Sequence, residues 1–340
     1  MYEKTLFLDT ARKYFSVEQI KTYIDALAAA GFTQLQLYFS DNQGFRLALD
    51  DMTIKTPSGN VYDLTPCLGR GYSQPDKKMY PHETDAFHTQ ADMDELIRYA
   101  NEKGIEIVPC INSPGHMGAV LEKFPQFRYS DENDTSKSSI DFRNPEAIAF
   151  ALAFVEKYVN YFRERGCRMF NLGGDEYAND VEGMGFEGLI RAGLYSEFVS
   201  YLNQAAQIVL DAGMTPRIFN DGAYYGQETK NQINPVIDVY YWERYDRVTP
   251  VKTIIEMGHK VINTNKCLYY VVANDPWVCV TAESAKSYEK NVFADETVVE
   301  DSLGTMMCIW CDDARDATKT TEEIMEETLA VIAVLKEKLC

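Results

Sequence analysis

The chain has 340 residues, and its 52 Asp and Glu outnumber 33 Lys and Arg to give a net charge of −19. A surface this acidic repels phosphate backbones and anionic lipid, so nucleic-acid and membrane partners are excluded and a neutral or cationic ligand is expected. With 46% hydrophobic and 25% charged residues the chain is neither a disordered tail nor a fibrous repeat.

The first residues, MYEKTLFLDTARKYF, carry no basic segment followed by a long apolar one. As written the sequence reads as cytoplasmic, the alternative being an excised domain of a secreted protein. LFL at 6–8 is a first strand. Ser16 with Gln19 three residues on is a capping box, opening a helix with Val17, Ile20, Tyr23, Ile24 and Leu27 on its apolar stripe. QLQLYF (34–39) is a second strand. A second helix runs from Asp92 to Lys103, and IEIVPCI (105–111) is a buried strand. Asn144–Pro145 starts a third helix, with Ile148, Leu152, Val155, Val159 and Phe162 on one face. RMFNLGG (168–174) is a strand and Ser196–Asp211 a helix. PRIFN, VIDVYYW, KVINTN and TMMCIW supply four further strands, and a last helix begins near Thr320 with Ile324, Val331 and Leu335 inward.

Eight strands, most followed by a helix, predict an α/β chain of the (β/α)8 barrel class, with an open doubly wound sheet as the alternative. No GxGxxG or GxxxxGK[ST] follows a strand, which weakens that alternative. The expectation is one catalytic domain over 1–340, with a probable active-site loop insertion at 42–90, rich in Gly, Pro, Asp and Tyr. Cys110, Cys167 and Cys308 sit in or beside strands as reduced core thiols. Cys308 and Cys311 have no second pair with which to complete a zinc site.

In a barrel the chemistry belongs at the C-terminal strand ends. Those ends carry Asp9 and Arg12, Asp41, Asn112 and His116, Asp175 and Glu176, Asn220 and Asp221, Trp242, then Asn263, Asn265, Tyr269 and Tyr270, and last Trp310 and Asp312. Carboxylates and an arginine can fork sugar hydroxyls, while Trp and Tyr lie against apolar ring faces. The sharpest element is GGDE at 173–176. Adjacent carboxylates repel, so one holds its proton and can act as a general acid beside a charged partner. The glycines leave room for close approach.

FLDTARKYF, QLQLYFSDNQGFR, YANEKGIEIVPCINSPGH, FNLGGDEY, YYW and IWCDD, in that order from residue 6 to about 313, resemble the catalytic barrel of glycoside hydrolase family 20, the exo-acting β-N-acetylhexosaminidases. NSPGHM and FNDGAYYG are most similar to the branch of large streptococcal surface hexosaminidases. The resemblance implies a retaining, substrate-assisted reaction on a glycan ending in N-acetylhexosamine. The substrate's 2-acetamido oxygen attacks the anomeric carbon and forms an oxazolinium. It implies Glu176 as general acid and base, and Asp175 as the group that orients and charge-stabilises the acetamide. Arg12 and Asp312 would hold hydroxyls, and Asp41 with His116 would support Glu176. Trp242 and Trp310 would line the acetamide pocket and sugar floor, and either Tyr269 or Tyr270 would bond the acetamide oxygen. Trp277 would stack on the leaving group. No metal and no cofactor is implied.

The chain departs from the family's pattern in several places. The small α/β domain that often precedes the barrel is missing, so a barrel helix is exposed or buried in a homodimer. Cys110 stands where a Glu is common, and Asp312 where Glu is usual. Asn112 stands where Asp is common, which predicts a weaker charge partner for His116. Asn220–Asp221 replaces a fifth-strand Trp and predicts a more polar pocket wall. Competing readings are a carbohydrate-binding barrel without turnover, a lacto-N-biosidase, and a barrel hydrolase pairing Glu176 with a distant carboxylate nucleophile.

Overall fold

The computed structural model describes residues 2–70, 85–130, 134–227, 230, 232–245, 247–272, 279–312 and 319–339. Eight parallel strands form the barrel: β1 (Glu3–Asp9), β2 (Gln34–Ser40), β3 (Glu106–Ser113), β4 (Met169–Gly173), β5 (Thr215–Phe219), β6 (Asp238–Tyr241), β7 (Val261–Asn263) and β8 (Gly304–Trp310). Each pairs with the next. β1 closes the ring by pairing with both β2 (Thr5 opposite Gln34) and β8 (Glu3 opposite Gly304). A closed parallel ring with helices outside is the (β/α)8 barrel that the strand count predicts.

The two-residue period of each strand divides the core. Leu35, Leu37 and Phe39 of β2 face outward into the layer shared with the helices. Tyr38 faces inward and joins Phe7, Cys110, Phe219, Tyr240, Ile262, Met306 and Cys308 in the barrel interior. The N-terminal end of that interior is closed by Arg217. Its Nη2 donates to both Glu3 carboxylate oxygens at 2.9 and 2.8 Å, and its Nη1 donates to the Tyr240 hydroxyl at 3.0 Å.

Around the ring, α1 (Val17–Ala29) starts on the Ser16–Gln19 capping box and buries Ile20, Tyr23, Ile24 and Leu27. α2 (Gln90–Glu102) begins two residues before the sequence reading: Thr89 is its N-cap, and Asp92 is the third helical residue of a second capping box. In α3 (Pro145–Glu164), Asn144 caps the first turn and Val155, Val159 and Phe162 are buried as expected, joined by Phe150, Phe154 and Tyr158. Ile148 and Leu152 are only half-buried, because the larger aromatic faces displace them from the barrel side. α4 (Tyr195–Asp211), α5 (Val251–Glu256) and α6 (Thr321–Lys338) complete the longer helices. After β5 the described residues form only a short 3-10 turn, and after β7 two such turns flank a short strand, Tyr269–Val271, that pairs parallel with β8.

The described part of the 42–90 segment is packed rather than structureless. Gly44–Phe45 pairs antiparallel with Ser40 and with Gly69–Arg70, and Thr53–Lys55 pairs with Val61–Asp63. Leu47, Met52, Ile54, Leu64 and Cys67 are buried. Arg46, fully buried, donates to the carbonyls of Ala11 and Ala86 at 2.7 and 2.6 Å, tying the segment to the loop after β1. No helix among the described residues is long and apolar enough to cross a membrane.

Candidate active site

The β4 end sets the geometry. Gly173 and Gly174 have φ of 76° and 80°, and Glu176 itself has φ of 46°. A Cβ on Gly173 would lie 1.8 Å from the Asn112 side-chain oxygen, so only glycine lets the chain pass there. The turn presents Asp175, buried, and Glu176, whose side chain is 39% exposed at the barrel mouth.

Behind Glu176 stands a relay of charges. His116 Nε2 lies 3.2 Å from Glu176 Oε2 and 3.6 Å from Asp175 Oδ2, while its Nδ1 lies 2.9 Å from Asp41 Oδ2. The same Asp41 oxygen accepts the Tyr38 hydroxyl at 2.7 Å and lies 2.9 Å from Arg12 Nη2. Arg12 Nη1 reaches Asp9 Oδ2 and Asp312 Oδ1, each at 2.9 Å. Asp9 also accepts the N–H of Cys311 at 3.0 Å, joining the β1 and β8 ends.

Asn112 does not serve His116, contrary to the sequence reading. Its Nδ2 donates to Asp175 Oδ1 at 2.7 Å and to the Tyr38 hydroxyl at 3.2 Å, and its oxygen accepts the N–H of Gly174 at 3.2 Å. His116 keeps a full charge partner in Asp41, because it is β2 and not β3 that reaches Nδ1.

Burial opposes the charge of every group here, and the pairings decide the outcome. Arg12, His116 and the Tyr38 hydroxyl hold Asp41 far below the usual carboxylate range against that burial. His116 is raised well above its ordinary value by Asp41 and Asp175. Burial, then the charge of Glu176, raises Asp175. Burial would also raise Glu176, but the hydrogen bond and charge of His116, with Arg12 behind, hold it below the glutamate value. Within the adjacent pair the surroundings thus favour the neutral form of Asp175 and the anion of Glu176.

Three aromatic rings form the far side. Trp242 stacks on Tyr269 with centroids 6.3 Å apart and planes at 21°, and Tyr269 meets Trp310 edge-on at 6.1 Å. Trp310 rests on Phe7 at 4.2 Å, with the Arg12 guanidinium 5.7 Å from its ring. Among the described residues the buried Trp310 indole nitrogen has no hydrogen-bond partner, and the buried Tyr269 hydroxyl lies beside the Thr264 hydroxyl and the Cys308 thiol. Tyr270 is not part of this wall: its hydroxyl donates to Glu327 of α6 and accepts from Lys319 at 3.1 Å. Trp277 lies outside the described residues. At the β5 end Phe219 turns into the interior 6.2 Å from Trp310, and Asn220 and Asp221 follow it, both buried. Asn263 donates to the carbonyls of Lys290 and Val292 and holds a loop.

Two site residues escaped the sequence reading. Tyr38, which the sequence shows only as part of the second strand, holds both Asp41 and Asn112; its place among inward-facing positions of β2 was the available signal. Asp221, noted only as a strand-end residue, accepts the main-chain N–H of Glu176 at 2.9 Å and the Trp242 indole N–H at 3.3 Å. Among the described residues no cluster of three or more His, Cys, Asp or Glu is arranged to hold a metal ion.

A closed barrel with paired carboxyls, a buried arginine and an aromatic wall at one mouth defines a glycoside hydrolase. Residues 4–332 match the family model described as "Glycosyl hydrolase family 20, catalytic domain", and the chain belongs to that family. Among curated relatives, a lacto-N-biosidase of Bifidobacterium bifidum is 25% identical over 266 residues, 71% of this chain and 22% of the relative. A beta-hexosaminidase of Vibrio furnissii is 25% identical over 181 residues, 52% of this chain and 29% of the relative. The chain thus spans less than a third of the length of either. A solved structure of the tandem GH20 catalytic modules of the pneumococcal exo-beta-D-N-acetylglucosaminidase StrH superposes with a TM-score of 0.86 at 29% identity, covering 99% of this chain and 83% of that one.

Proposed function

We propose that this barrel is an exo-acting, retaining β-N-acetylhexosaminidase that removes terminal β-linked GlcNAc or GalNAc through an oxazolinium intermediate. The observation that carries this reading is the adjacent Asp175–Glu176 pair with His116 reaching both and the Trp242–Tyr269–Trp310 wall opposite. No second carboxylate need act as nucleophile. The acetamide oxygen attacks the anomeric carbon as Glu176 gives its proton to the leaving oxygen. Asp175 accepts the acetamide N–H and faces the positive charge that develops on the ring. Water then opens the oxazolinium while the Glu176 carboxylate takes its proton.

The reaction needs Glu176 as the acid and Asp175 as the anion, and binding favours both through proton exchange between them. An acetamide N–H donated to Asp175 favours its anion. A sugar over the half-exposed Glu176 removes the water that stabilises its charge and so favours its acid form. His116, 3.2 Å from Glu176, is placed to mediate the exchange. In this reading Tyr269, in the aromatic wall between Trp242 and Trp310, bonds the acetamide oxygen, and Arg12 and Asp312 hold ring hydroxyls.

The test is hydrolysis of nitrophenyl β-N-acetylglucosaminide and β-N-acetylgalactosaminide, with Glu176→Gln beside the wild type. We expect turnover of at least one. For Glu176→Gln we expect a loss of about 10²–10⁴-fold on a chitobiose-type disaccharide and a smaller loss on the activated aryl glycoside. Sugar binding without turnover by the wild type would point instead to a binding barrel. Release of a disaccharide rather than a monosaccharide would point to the lacto-N-biosidase type of reaction that the Bifidobacterium bifidum relative's name carries.

A further inference from the structure

The mechanism above gives no step to Asp221, yet no residue of the site is more deeply enclosed, at 0% exposure. Its two oxygens face two N–H donors. Oδ2 accepts from the main chain of Glu176 at 2.9 Å and Oδ1 from the Trp242 indole at 3.3 Å. The preceding residue grips the same neighbour: Asn220 accepts the Trp242 main-chain N–H at 2.7 Å and donates to the Glu243 carbonyl at 3.1 Å. The β5 end thus spans from the acid/base turn after β4 to the indole after β6.

Resting on the hexosaminidase reading, we propose that Asp221 is a positioning residue: it clamps the Glu176 turn to the Trp242 indole, so that acid and acetamide wall hold one fixed geometry. Three observations support it. Glu176 sits at φ 46°, a left-handed conformation that a non-glycine residue keeps only when its surroundings over-determine it, and the Asp221 bond to its N–H is such a constraint. Trp242 is stacked on Tyr269 on its face and held by Asp221 at its edge, which fixes both tilt and rotation. A carboxyl buried beside Asp175 and Glu176 is a destabilising choice, pushed toward its neutral form by burial and by both charges. If the residue only filled space, an amide of the same shape would serve at less cost. Two N–H donors call for two acceptor oxygens, which Asp has and Asn lacks.

The test compares Asp221→Asn, Asp221→Ala, Trp242→Phe and the double variant Asp221→Asn/Trp242→Phe. Each is assayed for kcat and KM on dinitrophenyl β-N-acetylglucosaminide and on chitobiose, with thermal unfolding alongside. Asp221→Asn keeps the volume and turns an NH2 toward one of the two N–H groups. We expect it to fold and to lose about 10–100-fold in kcat on chitobiose, since a misplacement of about 1 Å costs on the order of 10²-fold. The loss on the dinitrophenyl glycoside, which needs little protonation, should be several-fold smaller, and KM should change less than kcat. Trp242→Phe removes the indole N–H, so the second substitution in the double variant should cost less than it does alone. A folded Asp221→Asn with wild-type kcat on chitobiose would overturn the clamp, as would equal losses on both substrates that add independently to those of Trp242→Phe. If Asp221→Ala unfolds, the isosteric Asn variant carries the test. Wild-type hydrolysis of chitobiose checks the hexosaminidase reading separately: its absence overturns that reading, and the clamp with it.

Discussion

Asn112 shows how one amide alters the charge state of the residue it holds. It donates to Asp175 at 2.7 Å as a permanently neutral donor, so the Asn112 position adds no like charge to that of Glu176 when Asp175 ionises. In Asn112→Asp the same position can donate only while it holds a proton. Two carboxyls at that separation share one proton and titrate as a pair, with the upper apparent pKa raised. Below that upper value the variant should work nearly as the wild type does. As pH rises through it, the shared proton is lost, Asp175 faces a like charge, and the acetamide is no longer oriented. The expected outcome is a kcat profile whose alkaline limb falls at lower pH than in the wild type, with the acid limb little changed. An unshifted alkaline limb would mean that the Asn112 contact does not govern Asp175. The sequence showed Asn112 but assigned it to His116. Chain order does not reveal that β3 carries Asn112 toward β4 while β2 carries Asp41 to the imidazole.

At the scale of elements, the strands were legible because alternating burial leaves a two-residue period. QLQLYF shows it plainly, with Leu35, Leu37 and Phe39 outward and Tyr38 inward. The capping box at Ser16 was legible for a local reason, since both partners lie within four residues. Of the α3 stripe, Val155, Val159 and Phe162 were legible and Ile148 and Leu152 were not, because which side chain wins the barrel side depends on the surface opposite. Tyr269 and Tyr270 could not be told apart by sequence, since adjacent residues of a strand point opposite ways and the sequence does not fix which side is the mouth. The GGDE turn is the element on which the site depends most. Gly173→Ala would place a methyl 1.8 Å from the Asn112 oxygen and require φ near 76° of a residue with a Cβ. Neither can be relieved locally, because Asn112 is held by Asp175 and Tyr38. Gly173→Ala should lose at least 10²-fold in kcat/KM while α1 and α6, on the far side of β1, keep their helicity; circular dichroism and a nitrophenyl assay check both. Near wild-type activity would show that the turn is not the constraint it is here taken to be.

Over the whole molecule, the charged barrel mouth links stability to pH in a definite direction. His116 is raised above its ordinary value, so its contribution is complete below about 6.5 and is lost as pH rises through its folded pKa. Asp175 and Asp221 are also raised, so between about 3.8 and their folded values the native state binds more protons than the unfolded chain. All three make stability fall with rising pH. Asp41 is lowered, so its contribution is held above about 3.8 and is lost only as pH falls below that. His88 and His259, whose pKa values burial lowers, act in the opposite sense over the same interval, so the share of the mouth is read by difference: from pH 5.5 to pH 8.5 the thermal midpoint of Asp221→Asn should rise relative to that of the wild type, and an unchanged or falling difference would contradict these assignments. A bound cation-like ligand should relieve the same excess of negative charge, which leads to the sharpest test of the reaction. If the acetamide oxygen is the nucleophile, a thiazoline mimic of the cyclic intermediate places positive character beside Asp175 and should inhibit far more tightly than the product sugar binds. Asp175→Asn should weaken the thiazoline and slow turnover together, because both depend on one charge. A glycoside with a 2-hydroxyl in place of the acetamide should be nearly inert, since no protein group replaces the missing oxygen and its near-attack placement. Comparable rates for the 2-acetamido and 2-hydroxyl glycosides would require a protein nucleophile about 5 Å from Glu176, and the substrate-assisted reading would then give way to a double displacement.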